Sequence, residues 1–150
     1  NNFKLVGRFD VREKDGKLMV LDMAHTENSM LNLIDALQRR FSDKGFVFLV
    51  SIMKNKQVEA MLRVISGVAS RIYFTCGNEN RGHSGEDLLE WYEKIAGSEK
   101  SVTADGRRVV FANESWKTAF NEAFDCLSKN EILVVTGSHF LVGKVLEIKL

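Results

Sequence analysis

Two stretches carry residues that could do chemistry. The first is "EILVVTGSHFLVGK", residues 131–144, where an apolar run ends at Gly137 and a Gly143-Lys144 pair follows. These are the ingredients of a phosphate-binding loop, G-x-x-x-x-G-K-[ST], whose last hydroxyl holds magnesium. The spacing is wrong, because five residues separate Gly137 from Gly143 and the residue after Lys144 is Val145, which cannot ligate a metal. The intervening Ser138-His139-Phe140-Leu141-Val142 is also too bulky for a phosphate cradle. Leu141, Val142, Val145, Leu146 and Ile148 predict the buried stripe of a helix starting near Ser138. What remains is a strand, a glycine turn and a helix N-terminus with a serine that can receive a carboxylate or simply cap the helix.

The second stretch is "VLDMAHTENSM", residues 20–30. A strand ends in Asp22, turns through Ala24 and enters a helix with His25, Thr26 and Asn28 around its start. A helix N-terminus offers unpaired N–H groups and a partial positive charge, which suits phosphate or carboxylate. Asp22 at the strand tip is placed to accept hydrogen bonds from a ribose or to orient a cation. Read from these residues alone, capping by Asp22 and Thr26 is as good an account as a binding site. Thr26 with Ser29 three residues on reads as an N-terminal cap, though not as a capping box.

The elements that must position these residues alternate. "NNFKLVGRFDV" reads as a strand to about Val11, with a turn at residues 14–16, and "KLMVLDMA" as a second strand. Met30, Leu33, Ile34, Leu37 and Phe41 mark one helix face. "GFVFLVSIM" is a continuous apolar run, the pattern of a strand covered on both sides. A helix is expected over about 56–70, a strand at "RIYFT", and a helix over Gly85–Ala96. Residues 101–113 fit either one short strand or an edge hairpin turned at Asp105-Gly106. Trp116, Ala119, Phe120, Ala123, Phe124 and Leu127 define a further helix face. The pattern predicts one α/β domain over residues 1–150, a three-layer Rossmann-like fold with a mostly parallel sheet of about six strands. Ligands of such sheets bind beyond the carboxyl ends of the strands, and loops there carry the chain's three histidines, His25, His83 and His139.

The totals narrow the function classes. At 150 residues, 45% apolar and 27% charged, the chain has the size and composition of one globular domain. A net charge of +1 argues against nucleic-acid or membrane partners drawn by bulk electrostatics. The sequence shows neither a membrane-spanning run nor a signal-peptide pattern, so a cytoplasmic protein is expected. Cys76 and Cys126, each near an apolar segment, read as buried free thiols. With no proline, the turns fall to Gly, Asn and Asp.

"LDMAHTENSM" resembles the "LDGAHxxxS" stretch of folylpolyglutamate and dihydrofolate synthases and the "DYAHTP" stretch of the Mur peptidoglycan ligases. "GRFDV" is similar to the "GRxE" strand that precedes it in both groups, and "VVTGSHFLVGKVL" resembles the "GSLYLVGEV" close of the folate branch. These motifs run in order from Gly7 to Val145. The resemblance implies the C-terminal domain of an ATP-dependent ligase that adds L-glutamate to folate or dihydropteroate through an acyl phosphate. The P-loop and most of the magnesium binding would lie on a separate N-terminal ATPase domain, and the isolated chain is expected to hydrolyse no ATP. By position, Arg8 would contact ATP and Asp22 its ribose. His25 would face both phosphate and glutamate in a catalytic role, and Ser138 would bind the incoming glutamate. Arg81 and His83 are weaker candidates on the same edge, while His139 is expected to pack or face solvent. The chain departs from the pattern at Met23 for glycine, at Glu27 for proline, and at Asn55-Lys56-Gln57 for "DKD". A Mur-type substrate, or a non-catalytic module binding an anion or a partner, are the alternative readings.

Overall fold

The computed structural model describes residues 5–148. Six strands form one sheet in the order β1-β2-β6-β3-β4-β5. The strands are β1 (Asp10–Lys14), β2 (Lys17–Leu21), β3 (Gly45–Val50), β4 (Ala69–Phe74), β5 (Val110–Ala112) and β6 (Glu131–Thr136). Only the β1–β2 hairpin is antiparallel; the other pairings are parallel. The helices are α1 (Glu27–Arg40), α2 (Val58–Ser66), α3 (Gly85–Ala96), α4 (Trp116–Asp125) and α5 (His139–Leu146).

The apolar runs of the central strands are explained by burial on both faces. Phe46, Phe48 and Val50 of β3 pack with Met30 and Leu33 of α1, Met61 and Leu62 of α2, and Leu88 of α3. The alternate residues Val47 and Leu49 pack with Ala119 and Phe120 of α4 and with Leu141 and Val145 of α5. The expected three-layer fold is therefore present, with α1, α2 and α3 on one face and α4 and α5 on the other.

Several local expectations need correction. The first strand starts at Asp10, because Gly7 and Phe9 take positive φ of 75° and 42°, which ends extended backbone there. Residues 1–4 of that expected strand lie outside the described residues. Both readings of residues 101–113 hold in part. An isolated bridge joins Val102 to Arg108 around the Asp105-Gly106 turn, and the short β5 follows. Thr26 and Ser29 do form a reciprocal capping box, with the short serine hydroxyl doing what glutamate usually does. Cys126 is exposed and Cys76 half-buried, since Cys126 caps α4 beyond its buried face. Among the described residues, no helix is long and apolar enough to cross a membrane.

Candidate functional site

The carboxyl ends of β2, β6 and β3 are adjacent in the sheet, and their loops build the site. The end of β2 is tied on both sides. The Asp22 N–H donates to the Val135 carbonyl at 3.0 Å, and the Gly137 N–H donates to the Ala24 carbonyl at 3.0 Å. Gly137 must be glycine, because its φ is 100° and a Cβ there would lie 2.3 Å from the Ser51 carbonyl oxygen. The loops after β3 and β4 are joined by a bridge between Met53 and Gly82 and by the Lys54 N–H donating to Arg81 O at 2.8 Å.

Two clefts lie on this edge. One, of about 600 Å³, is lined by Arg8, Phe9, Asp22, Met23, Ala24, His25, Ser29, Asn32, Leu33, Ala36 and His139. The other, of about 480 Å³, is lined by His25, Met53, Lys54, Asn55, Lys56, Asn80, Arg81, Ser138, His139 and Phe140. They meet at the exposed His25 and His139. The first cleft holds one exposed cation beside one half-buried carboxylate, Arg8 and Asp22. The second holds Lys54, Lys56 and Arg81, with no carboxylate among its lining residues, and so favours an anion.

Asp22 is fixed by the backbone. Its Oδ2 accepts the Phe9 N–H at 2.8 Å and its Oδ1 accepts the Ala24 N–H at 2.9 Å. Burial pushes its carboxyl above the ordinary range, opposed by those two hydrogen bonds and by the Arg8 charge. His25 Nδ1–H donates to the Met23 carbonyl at 2.9 Å, which in the neutral ring leaves the lone pair on Nε2. Its backbone N–H and that of Thr26 both donate to Ser29 Oγ at 3.0 Å. Ser138 is fully buried. Its hydroxyl caps α5 by accepting the Phe140 N–H at 3.1 Å and the Leu141 N–H at 3.4 Å, and it donates to Met53 Sδ at 3.8 Å. The capping role raised by the sequence is thus realised at Ser138.

The other sequence candidates divide. His139 is exposed between the clefts and Arg81 lines the second, whereas His83 lies apart, its ring edge-on to Trp91 at 5.7 Å. Burial lowers the His83 pKa, partly offset by Asp87 and reinforced by Lys54. The start of α3 is occupied from within. Glu114, just after β5, accepts the Gly85 N–H at 2.8 Å and the Glu86 N–H at 3.0 Å, which removes that helix end from consideration. Glu27 lines a separate groove with Lys56, Gln57 and Arg63, and neither cleft. Met23 covers Gly7, where a Cβ would lie 2.6 Å from the Met23 Cε. Sequence reasoning missed Lys54 and Asn80, whose only signal is a place on loops following adjacent strands. Among the described residues, no group of three or more His, Cys, Asp or Glu could hold a metal ion.

A mostly parallel sheet with an Arg–Asp cleft and a cationic cleft meeting at its carboxyl edge has its clefts where open α/β domains bind their ligands. Comparison with known proteins gives the family: residues 7–139 match the Mur ligase, glutamate ligase domain, and the chain belongs to that family. The dihydrofolate synthase/folylpolyglutamate synthase of Bacillus subtilis is 26% identical over 125 residues, covering 83% of this chain and 26% of the relative. The folylpolyglutamate synthase structure from Thermotoga maritima superposes with a TM-score of 0.77 at 29% identity, covering 97% of this chain and 31% of that one. The Mycobacterium tuberculosis enzyme complexed with ADP gives a TM-score of 0.80 at 19% identity, over 95% of this chain and 32% of that one. A bifunctional folylpolyglutamate synthase/dihydrofolate synthase with Mn, AMPPNP and L-glutamate bound gives 0.75 at 22%, over 95% and 31%. The chain thus spans about a third or less of the length of these relatives.

Proposed function

We propose that residues 1–150 act as the C-terminal domain of an ATP-dependent ligase that joins L-glutamate to folate or dihydropteroate, in the cytoplasm, together with an ATPase domain carried on another segment. The observation that carries this is the meeting of the two clefts at His25 and His139, one with Arg8 and Asp22, the other cationic. The ADP of the M. tuberculosis structure and the L-glutamate of the bifunctional enzyme's structure are in keeping with a domain that serves both ligands.

In this reading Arg8 pairs with the phosphates of ATP through its permanent charge and planar fork. Asp22 keeps a lone pair on each oxygen for the ribose, and its two backbone hydrogen bonds hold the carboxylate still. ATP supplies the phosphoryl group that activates the substrate carboxylate as an acyl phosphate. Lys54, Lys56 and Arg81 hold the carboxylates of glutamate beside Ser138, and His25 Nε2 receives a proton from the attacking amine. Magnesium, or the manganese named for a Yersinia pestis complex with AMPPNP, would be held mainly by the ATPase domain.

The test is steady-state kinetics of the full ligase. Arg8→Ala and Asp22→Ala should each raise KM for ATP about tenfold or more, the loss expected for one contact to a charged group. Unaltered ATP dependence in both variants would remove the nucleotide assignment and leave a non-catalytic anion-binding module.

A further inference from the structure

The backbone that delivers Arg8 is anchored on both sides in a conformation the chain does not adopt by default. Gly7 has φ of 75°, and Phe9, a bulky residue, has φ of 42°. Left-handed backbone at a bulky residue persists only where its surroundings over-determine it. Here they do. The Phe9 N–H is held by Asp22 and its ring stacks on Phe41 with centroids 6.5 Å apart. The Gly7 carbonyl accepts the Met23 N–H at 2.9 Å. The remaining anchor is Asp10, which is fully buried although it is the first residue of an edge strand. Its Oδ2 accepts the Gly7 N–H at 3.2 Å and Arg12 Nη2–H at 3.1 Å, and its Oδ1 accepts Arg12 Nε–H at 3.3 Å.

A buried carboxylate is costly unless paired, and retaining one to hold a three-residue turn needs a reason. The turn's one exposed, ligand-facing side chain is Arg8. We propose that Asp10 is a positioning residue for nucleotide handling: its carboxylate, paired with Arg12, anchors the left-handed turn at Gly7 and so fixes the point from which Arg8 enters the cleft. The inference rests on the ATP-side role given to Arg8 above. Asp10 touches no ligand itself and acts through Arg8 alone.

The experiment is a double-mutant cycle in the full ligase, with KM for ATP and KM for glutamate measured separately. Asp10→Asn should raise KM for ATP about tenfold while leaving KM for glutamate within about twofold. In an Arg8→Ala background it should add less than about twofold, because the residue it positions is gone. Gly7→Ala, which displaces the same turn without altering the buried ion pair, should show the same split and the same non-additivity, and it carries the test if Asp10→Asn folds too poorly to assay. Multiplicative effects of Asp10→Asn and Arg8→Ala, or an equal rise in KM for glutamate, would overturn the proposal and leave Asp10 a structural anchor. If Arg8→Ala alone leaves KM for ATP unchanged, the functional reading fails first and this inference with it.

Discussion

Gly137→Ala tests whether the strand-to-helix turn at the centre of the site depends on conformation alone or also on close approach. An alanine at φ of 100° is strained by about 1–2 kcal/mol. Its Cβ would also sit 2.3 Å from the Ser51 carbonyl oxygen and 3.2 Å from Val50 Cγ1. Ser51 is fully buried at the end of a central strand, so the obstacle is backbone that cannot swing aside. Relieving that overlap adds about 1–3 kcal/mol, for a total loss of about 2–5 kcal/mol. Gly106 separates the two terms, because its φ is 85° but nothing lies within 4 Å of its would-be Cβ, so Gly106→Ala should cost only the strain. Urea and thermal unfolding of the two variants give the comparison. Gly137→Ala should lose about 4–20 °C in Tm and Gly106→Ala about 2–8 °C, at about 2–4 °C per kcal/mol for a chain of this length. Equal losses, within about 0.5 kcal/mol, would show that the Ser51 contact relaxes freely and that the steric argument is wrong.

Gly143 lies inside α5 without positive φ and with nothing within 4 Å of its would-be Cβ, so Gly143→Ala should stabilise the chain by about 0.5–1 kcal/mol. A loss of stability in urea unfolding would contradict that reading of Gly143. Burial depresses the His83 pKa in the folded state, so folding favours the neutral ring. The stabilisation is complete above the ordinary value of 6.5 and is lost as pH falls through the lowered folded value. The His83 resonance should titrate below 6.5, and the stability difference between wild type and His83→Gln should change only in that acidic window. A folded-state value at or above 6.5 would refute it.

Most of the architecture was legible because the central strands are buried on both faces, and continuous runs such as Phe46–Val50 have no other use. The strand ends followed from that, and with them Asp22, His25 and Ser138. The turn through Arg8 was hidden because "GRFDV" alternates like a strand, while Phe9 is bent by a partner thirteen residues away, Asp22. The capping box was hidden because Ser29 is shorter than the residues that usually complete it. Lys54 and Asn80 were hard to see because nothing local distinguishes a polar loop residue in solvent from one in a cleft. The Met53–Gly82 bridge and the Lys54 N–H to Arg81 carbonyl hydrogen bond bring their loops together.

The two clefts have His25 and His139 as a common wall. On the proposed reading, a ligand in one cleft would set the rotamers of rings that the other ligand must meet. Occupancy on the two sides would then be one linked equilibrium: whatever factor the first ligand imposes on the second is returned unchanged when the order of binding is reversed.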